Sequence, residues 1–223
     1  MIINMHSHLK SNGKNLIISN MEIEQYVNHC LNLGITKTCV CCTSNSEAVN
    51  NEHVKVLFNK YPDFFIGFGY VNMDEDKPEI VDKLFNEGFK GLKLICPSKS
   101  YEDKEYFSFY EKAAKFNIPI LFHTGWVSTD SKISYVSCDR MQPMYLDTIA
   151  RAFPELILIG AHLGNISYMW QAIELVTKVP NIYFDLTGGT IRKLSFSLLK
   201  MLFSTSLQPN LRTFNFSIRA LKR

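Results

Sequence analysis

The sequence of 223 residues predicts an α/β fold in which eight parallel strands close into a (β/α)8 barrel. Short apolar runs of strand length recur along the chain, and segments with helical spacing separate them. This alternation is typical of parallel strands joined by right-handed crossovers, in either an open doubly wound sheet or a closed barrel. The count of eight strands favours the barrel, and no G-x-G-x-x-G motif follows the first strand to favour a dinucleotide-binding sheet.

The elements follow one another in regular order, and turn residues mark their ends. The strands are predicted at residues 2–6, 37–42, 64–70, 90–95, 118–123, 156–161, 181–185 and 200–204. The amphipathic helices are predicted at residues 22–33, 48–60, 78–86, 103–116, 145–153, 168–178 and 191–199. Gly34, Gly88 and Asn117 follow three of these helices, where a left-handed cap is favoured. Four prolines lie in the turns that lead back to a strand, at positions 62, 119, 154 and 180.

The chain is predicted to be one domain over residues 1–223, because no linker or low-complexity tract interrupts the alternation. A barrel of this type takes about 250 residues, so little remains after the predicted eighth strand to form its covering helix. Residues 211–223 are the only candidate for that helix, within an atypical basic segment at 205–223. A second copy of the chain could complete the wall, so the sequence leaves a homo-oligomer open.

Composition and charge exclude several kinds of partner. The 46% hydrophobic and 20% charged residues are typical of a soluble globular protein. No apolar run reaches the roughly 18 residues of a membrane span, and the N-terminus lacks the order of a signal peptide, so we expect a cytoplasmic protein without a membrane partner. Seven of the 24 basic residues follow Asp185, the last acidic residue, which leaves 17 basic against 21 acidic residues in the body of the chain. We therefore expect no nucleic-acid partner.

The six cysteines do not have the spacing of a disulfide framework. Cys39 and Cys42 form a C-x-x-C pattern, but this pattern lies inside the apolar run at 38–43 rather than at a turn from strand to helix. Buried, reduced thiols in a strand are the favoured interpretation, and a redox or zinc pair is the alternative.

Histidines and other titratable residues occur where the predicted strands end. His6 and His8 project from the same face of the first strand, because side chains alternate across a strand. Two neutral imidazoles converging there can share one metal ion. In a barrel the loops at the carboxyl ends of the strands build the site. Four further residues lie at or near these ends, namely Lys93, His123, His162 and Asp185.

Each of these four residues also has a purely structural interpretation. His123 could be a hydrogen-bonded histidine at a strand end, and His162 could cap a turn. Asp185 could cap the next helix, and Lys93 could pair with a carboxylate inside the barrel. The joint placement is more specific than any single residue, and it favours a metal site that includes His6 and His8.

Several motifs together resemble a known family. They are MIINMHSHL (1–9), YPDFFIGFGYVN (61–72), GFKGLKL (88–94), ILFHTG (120–125), FPEL (153–156), GAHLG (160–164) and YFDLTG (183–188). Over about residues 1–205 the chain resembles the amidohydrolase superfamily, and it looks most like the amidohydrolase-2 group of TIM-barrel metal-dependent hydrolases. That group also includes nonoxidative decarboxylases such as aminocarboxymuconate semialdehyde decarboxylase.

The resemblance implies one divalent metal ion, with zinc the favoured metal, held by His6, His8 and His123. His162 would then handle the proton of the water that the metal activates, and the substrate would be a small molecule. This is physically sound, because three imidazoles leave zinc an open position and zinc brings the pKa of water close to neutrality. Lys93 could bridge two metals if carboxylated, but a structural or substrate-binding cation is favoured, since this group usually works with one metal.

Two departures from the family pattern concern the C-terminal part of the chain. Relatives usually have a metal-binding aspartate at the end of the eighth strand, where this chain has Thr205 or Ser206. Neither hydroxyl replaces an ionised carboxylate at neutral pH. The loss coincides with the basic tail, which suggests either an altered reading frame or a naturally inactive member. Asp185 is a candidate for partial compensation.

The loop after His123 runs to about residue 142 and is long enough to act as a lid over the barrel mouth. Its notable side chains are Trp126, Tyr135, Asp139 and Arg140. Trp126 is a candidate wall of the substrate pocket, and Arg140 could hold a substrate carboxylate with two hydrogen bonds or lie solvated at the surface.

The sequence thus leads to one leading hypothesis and two alternatives. The leading hypothesis is a metal-dependent hydrolase of a small amide, lactone or ester. The first alternative is a nonoxidative decarboxylase of the same fold, and the second is a catalytically silent barrel that binds a metal or another ligand.

Overall fold

The computed structural model describes residues 2–127 and 136–188, together with Ser195 and Ser197. Nine strands within these residues form one continuous sheet. They are β1 (Ile2–Ser11), β2 (Leu16–Ile18), β3 (Met21–Glu22), β4 (Ile35–Cys41), β5 (Phe65–Tyr70), β6 (Gly91–Leu94), β7 (Ile120–Phe122), β8 (Leu158–Gly160) and β9 (Ile182–Phe184). Their order across the sheet is β3-β2-β1-β4-β5-β6-β7-β8-β9. β1 and β4 to β9 are parallel neighbours, whereas β2 and β3 extend the sheet as an antiparallel hairpin.

A helix connects each pair of consecutive parallel strands. The helices are α1 (Ile23–Asn32), α2 (Asn51–Lys60), α3 (Glu79–Asn86), α4 (Phe107–Lys115), α5 (Tyr145–Ala152) and α6 (Asn165–Lys178). Three short 3-10 helices accompany them, at Lys104–Tyr106, Cys138–Met141 and Ala161–Gly164. In the described part of the chain, no helix combines the length and the apolar character that crossing a bilayer requires.

The predicted α/β alternation is confirmed over the described residues. Seven of the eight predicted strands and six of the seven predicted helices are present, with ends within a few residues of those expected. The predicted strand at 200–204, the segment 205–223 and all of the predicted helix at 191–199 except Ser195 and Ser197 lie outside the described residues.

The hairpin of β2 and β3 was not predicted. It joins Ile18 to Met21 through Ser19 and Asn20, whose φ angles of 53° and 64° are both left-handed. Positive φ at both central residues is typical of the tight turn that matches the twist of a two-residue hairpin. Strands of three and two residues are too short to show a periodicity of their own, which is why the sequence pattern does not reveal them.

Two apolar layers lie on opposite faces of the parallel sheet. The larger layer packs the strands against the helices and includes Val54 of α2 and Leu84 of α3. The smaller cluster contains only residues of the strands and of the turn after β8, namely Cys39, Cys41, Phe68, Leu121, Ile159 and Ala161. This second cluster defines the inner face of the sheet. Cys39, Cys41 and Cys42 are buried, as predicted, and none of them forms a disulfide with another described residue. Their reduced state stays a prediction.

A β-bulge in β1 determines which side chains reach the inner face. Met5 packs against the inner cluster, whereas Asn4 and Ser7 both face α1 and share hydrogen bonds with the hydroxyl of Tyr26. Asn4 and Ser7 are three positions apart in β1, whereas their partners Thr38 and Val40 are two positions apart in β4. In a regular strand the neighbours Met5 and His6 would face opposite sides of the sheet. The extra residue interrupts this alternation, so both side chains face inward.

The parallel sheet curves until its first and last described strands approach each other. His6 in β1 and Asp185, directly after β9, make a contact of 2.8 Å between Nδ1 and Oδ2. Strands β1 and β9 stand six positions apart in the sheet order, so only a strongly coiled sheet brings them together. The described residues therefore form most of the wall of a barrel.

Candidate metal centre

Polar side chains from six parallel strands gather at the carboxyl end of the inner face. β1 supplies His6 and His8, and the other strands or the residues just after them supply Cys41, Lys93, His123, His162 and Asp185. Apart from Cys41, all were candidates from the sequence. All but His8 and His162 are buried, and those two are partly buried. The chain therefore concentrates imidazoles, one thiol, one amine and one carboxylate in a single small region.

His6 is oriented by Asp185. Its Nδ1 lies 2.8 Å from Asp185 Oδ2 and 3.1 Å from the hydroxyl of Thr187. An ionised carboxylate only accepts hydrogen bonds, so the proton of His6 belongs on Nδ1 and the lone pair of Nε2 faces the site. Burial, and then the charge of Lys93, lower the pKa of His6 to about 4 against the opposing effect of Asp185. His6 is therefore a neutral imidazole with a fixed tautomer, which is the form that binds a metal.

His8 places its two ring nitrogens against two other potential ligands. Its Nε2 lies 3.0 Å from Nε2 of His6, and its Nδ1 lies 3.5 Å from Sγ of Cys41. Burial is the main cause that lowers the pKa of His8. Two imidazole lone pairs at 3.0 Å repel each other unless one nitrogen is protonated or both face a cation. The donor set therefore fits a divalent metal ion.

Lys93 lies fully buried beside His6, with 3.5 Å between its Nζ and Nε2 of His6. Burial lowers the pKa of its amine, while Cys41 and Asp185 act in the opposite direction. Within the described residues, no carboxylate lies within the 4.0 Å of an ion pair with Lys93. The structural alternative of an internal ion pair is thus not realised there.

His123 and His162 form the second half of the cluster. Their ring centroids are 4.9 Å apart, and those of His162 and His6 are 5.0 Å apart. His123 Nε2 lies 3.1 Å from the carbonyl oxygen of Trp126, to which it donates. His162 Nδ1 lies 3.1 Å from the carbonyl oxygen of Thr187. Burial lowers the pKa of both imidazoles.

His162 belongs to a run of left-handed backbone. Its φ of 63° is followed by 49° at Leu163, 70° at Gly164 and 57° at Asn165. Such conformations are unfavourable for residues with a Cβ and are concentrated at functional sites. This turn lifts the His162 ring over His6 at the end of β8.

Asp185 accepts four hydrogen bonds. Its Oδ2 accepts from His6, and its Oδ1 accepts from the backbone N–H of His162 and from both the N–H and the hydroxyl of Thr187. Burial alone would raise its pKa, but His6, His162 and Thr187 outweigh burial and hold the pKa well below its usual range. Asp185 therefore anchors two histidines. Apart from Ser195 and Ser197, the helix that it could cap lies outside the described residues.

The described residues contain two groups of three potential metal ligands, and within each group the ligand atoms lie within 4.8 Å of one another. One consists of His6, His8 and Cys41, and the other of His6, His162 and Asp185. His123 belongs to neither group, although it contacts His162. Its role as a ligand with His6 and His8 stays a prediction. Cys41 was overlooked in the sequence, although its position at the carboxyl end of the strand next to β1 was a usable signal.

The predicted substrate-binding residues lie on the rim. Trp126 is 63% exposed, and its indole N–H donates to the hydroxyl of Ser167 in α6. Arg140 is partly buried, and its carbonyl oxygen accepts from the backbone N–H of Tyr101. Their contact with a substrate stays a prediction. Tyr135 and the positions of the missing aspartate, Thr205 and Ser206, lie outside the described residues.

Comparisons with known proteins bear on the family and the fold of the chain. The profile of a family described as amidohydrolase matches residues 42–211. The matched region contains Lys93, His123, His162 and Asp185, and it begins after His6 and His8. No curated protein sequence matches this chain.

Solved structures are similar in fold at low sequence identity. An uncharacterized TIM-barrel protein from Bordetella bronchiseptica is 18% identical, with a TM-score of 0.59 over 74% of this chain and 59% of that chain. A putative amidohydrolase from Staphylococcus aureus is 15% identical, with a TM-score of 0.63 over 90% of this chain and 83% of that chain. A 5-carboxyvanillate decarboxylase from Novosphingobium aromaticivorans, with bound manganese, is 18% identical, with a TM-score of 0.55 over 74% of this chain and 63% of that chain.

These similarities confirm the predicted α/β, TIM-barrel class of fold. The chain spans less than two thirds of the length of the first and the third of these structures.

Proposed function

The chain belongs to the amidohydrolase family, and from that premise we propose that it is a metal-dependent hydrolase of a small amide, lactone or ester. In this proposal one divalent ion is held by His6, His8 and His123. Zinc is the metal we propose, because imidazole ligands suit it well. The partner of the protein is then a small-molecule substrate.

The observation that carries the proposal is the convergence of His6 and His8. Their Nε2 atoms are 3.0 Å apart, and Asp185 keeps the proton of His6 on the opposite nitrogen. A carboxylate behind a ligating histidine is the usual support for a metal site, because it fixes the tautomer and raises the basicity of the ligand. A pair of histidines that served only packing would not need this arrangement.

The surrounding residues supply the remaining functions. A divalent ion, when bound, supplies Lewis-acid chemistry that polarises a substrate oxygen and favours the ionisation of water near neutral pH. His162 gives Nδ1 to the carbonyl of Thr187, which leaves its Nε2 lone pair available to take a proton. His123 binds the carbonyl of Trp126 through Nε2, so Nδ1 is its remaining nitrogen. In this proposal the indole of Trp126, which is exposed, contacts a substrate that enters over the rim.

Nonoxidative decarboxylation is the second candidate. The similar fold of a 5-carboxyvanillate decarboxylase with bound manganese favours it. The same histidines would bind the metal, and the buried amine of Lys93 beside His6 would contact the substrate. Assay of both reactions on one panel of small carboxylic acids, amides, lactones and esters separates the two candidates.

The metal site is tested with a variant in which both His6→Ala and His8→Ala are present. We expect about one equivalent of zinc per chain in the wild-type protein after purification without added metal, and none in the variant, as measured by elemental analysis. A His29→Ala, His53→Ala variant is the matched control, since both residues lie in helices away from the cluster. Unchanged metal content in the first variant would refute the proposal.

Full metal content without turnover of any compound on the panel would instead favour the catalytically silent barrel. That hypothesis is motivated by the hydroxyl residues at the expected aspartate position, Thr205 and Ser206.

A further inference from the structure

We propose that Cys41 is a thiolate ligand of the same metal ion, so that the site has a mixed nitrogen and sulfur donor set. The inference rests on the proposed metal site and adds a residue to it. The sulfur of Cys41 and one nitrogen each of His6 and His8 lie within 4.8 Å of one another.

The register of the sheet places Cys41 directly beside His8. The two residues are the last pair between β1 and β4, and from Leu9 onward β1 pairs with β2 instead. Paired residues on neighbouring strands project their side chains from the same face. Cys41 belongs to the inner cluster, and its Sγ lies 3.5 Å from Nδ1 of His8. The backbone of β4 therefore directs the side chain of Cys41 to the inner face of the sheet, where the site lies.

The donor distances suit one tetrahedral ion. Bond lengths of about 2.0–2.1 Å to nitrogen and about 2.3 Å to sulfur place two nitrogens about 3.4 Å apart and sulfur about 3.6 Å from a nitrogen. The observed separations are 3.0 Å between the Nε2 atoms of His6 and His8 and 3.5 Å between Cys41 Sγ and Nδ1 of His8. These two distances involve different nitrogens of His8, and one ion binds only one of them. With one ligand atom from each residue, the three atoms lie within 4.8 Å of one another, so the side chains must move closer together when the ion binds.

Cys41 is better placed to bind an ion than the carboxylate of Asp185. Both oxygens of Asp185 are already engaged, by His6, by the N–H of His162 and by Thr187. Among the described residues, the thiol of Cys41 makes weak contacts alone, to Nδ1 of His8 and to the carbonyl oxygen of Ser7 at 3.6 Å. Its S–H bond breaks as the sulfur–metal bond forms, and the proton leaves to the solvent. The resulting thiolate would supply the negative charge that relatives usually obtain from an aspartate where this chain has Thr205 or Ser206.

A sulfur ligand also determines which metal the site prefers. Thiolate is a soft ligand that favours zinc and cobalt, whereas manganese prefers oxygen ligands. We therefore expect the wild-type protein to bind zinc in preference to manganese in a competition titration. The dissociation constant for manganese divided by that for zinc measures this preference. We expect this ratio to be at least about tenfold smaller in the Cys41→Ser variant than in the wild-type protein.

The ligand is identified by loading the metal-free full-length chain with Co²⁺ and recording its absorption spectrum. We expect visible bands of bound cobalt together with a thiolate-to-cobalt charge-transfer band in the near ultraviolet. In Cys41→Ser the charge-transfer band should vanish, while cobalt still binds, at least about tenfold more weakly. Cys39→Ser is the matched control, because Cys39 is equally buried two residues earlier on the same strand. That variant should keep the band.

The outcomes separate this inference from the proposed function. Visible cobalt bands without a charge-transfer band would show a metal site in which Cys41 is not a ligand, and so would a charge-transfer band that survives Cys41→Ser. The absence of all cobalt bands would overturn the metal site itself. Should Cys41→Ser fail to fold by circular dichroism, X-ray absorption of the zinc-loaded wild-type protein decides: a sulfur neighbour at about 2.3 Å supports the inference, and nitrogen or oxygen neighbours alone at about 2.0–2.2 Å overturn it.

Discussion

At the scale of single residues, Asp185 controls the site without being its most available ligand. It accepts from Nδ1 of His6 and from the backbone N–H of His162, so one carboxylate sets the tautomer of the first histidine and the position of the second. Its low pKa follows from these donors, which outweigh the effect of burial. The carboxylate therefore stays ionised, and Nε2 of His6 stays a lone pair, throughout the range in which the protein is expected to work.

The substitution Asp185→Asn tests this supporting role. An amide keeps the size of the side chain but loses its charge, so the Nδ1 tautomer of His6 is no longer enforced. We expect zinc affinity to fall about 10- to 100-fold, as is typical when a partner behind a metal ligand is lost. The measurement is a competition titration against a chelator of known affinity.

Asp82→Asn provides the control for Asp185→Asn. Asp82 is a partly exposed carboxylate that pairs with Lys112, and its loss should leave zinc affinity unchanged. Equal affinities in the wild-type protein and Asp185→Asn would show that His6 does not depend on this carboxylate.

At the scale of elements, tight turns hold the histidines at the ends of β7 and β8. Gly125 follows His123 by two residues with a φ of 86°, and a Cβ there would lie 2.5 Å from the carbonyl oxygen of Gly164. The turn after β7 therefore rests directly on the turn after β8, which includes His162. Two loops in backbone contact set the spacing of the two rings.

The substitution Gly125→Ala should disrupt this contact. Left-handed backbone alone costs an alanine about 1–2 kcal/mol, and the clash with a backbone carbonyl adds to that cost because the carbonyl has little freedom to move. Gly13→Ala is the matched control, since Gly13 has a φ of 89° and no atom within 4 Å of a Cβ. Urea unfolding should show a larger loss of stability for Gly125→Ala than for Gly13→Ala. Equal losses would mean that the two loops separate without cost.

The bulge in β1 shows where alternation alone fails. A strict period of two places Met5 and His6 on opposite faces, yet both reach the inner face because one extra residue is inserted between Asn4 and Ser7. The expectation that His6 and His8 share a face was correct, because regular alternation resumes at His6, with Ser7 facing α1 and His8 facing inward. The bulge itself was not visible in the sequence, because it depends on pairing with Thr38 and Val40 of a different strand.

At the scale of the whole molecule, the order of the sheet could be predicted and the details of the site could not. Buried parallel strands are apolar runs separated by amphipathic helices, so seven of them were found from local pattern alone. The gathering of His6, His123 and His162 followed from the rule that functional groups lie at the carboxyl ends of strands. Cys41 lies at the carboxyl end of its strand, but that position alone did not single it out, because its relevance arises from its register with His8, which is a long-range property of the sheet.

The buried histidines should also make the stability of the metal-free protein depend on pH. Burial is the first cause that lowers the pKa of His6, His8, His123 and His162, and the value for His6 is about 4. The unfolded chain has histidine pKa values near about 6.5, so between about pH 4 and about pH 6.5 it binds more protons than the folded chain. Stability is therefore complete above about pH 6.5 and is lost as the pH falls. Asp185, whose pKa is low, contributes a loss only below about pH 4.

His6 alone should lower the free energy of unfolding by about 2 kcal/mol between pH 7.5 and pH 5, given about 1.4 kcal/mol for each pKa unit. The other three histidines add to this loss. Urea unfolding in the presence of a chelator at the two pH values measures the total.

The variant His6→Gln should lose about 2 kcal/mol less stability over this interval than the wild-type protein, whereas exposed Trp170→Gln should behave like the wild type. If the free energy of unfolding of the wild-type protein were the same at both pH values, the four histidines would have the same pKa values in the folded and the unfolded chain. The imidazoles would then not be held neutral and ready for a metal ion.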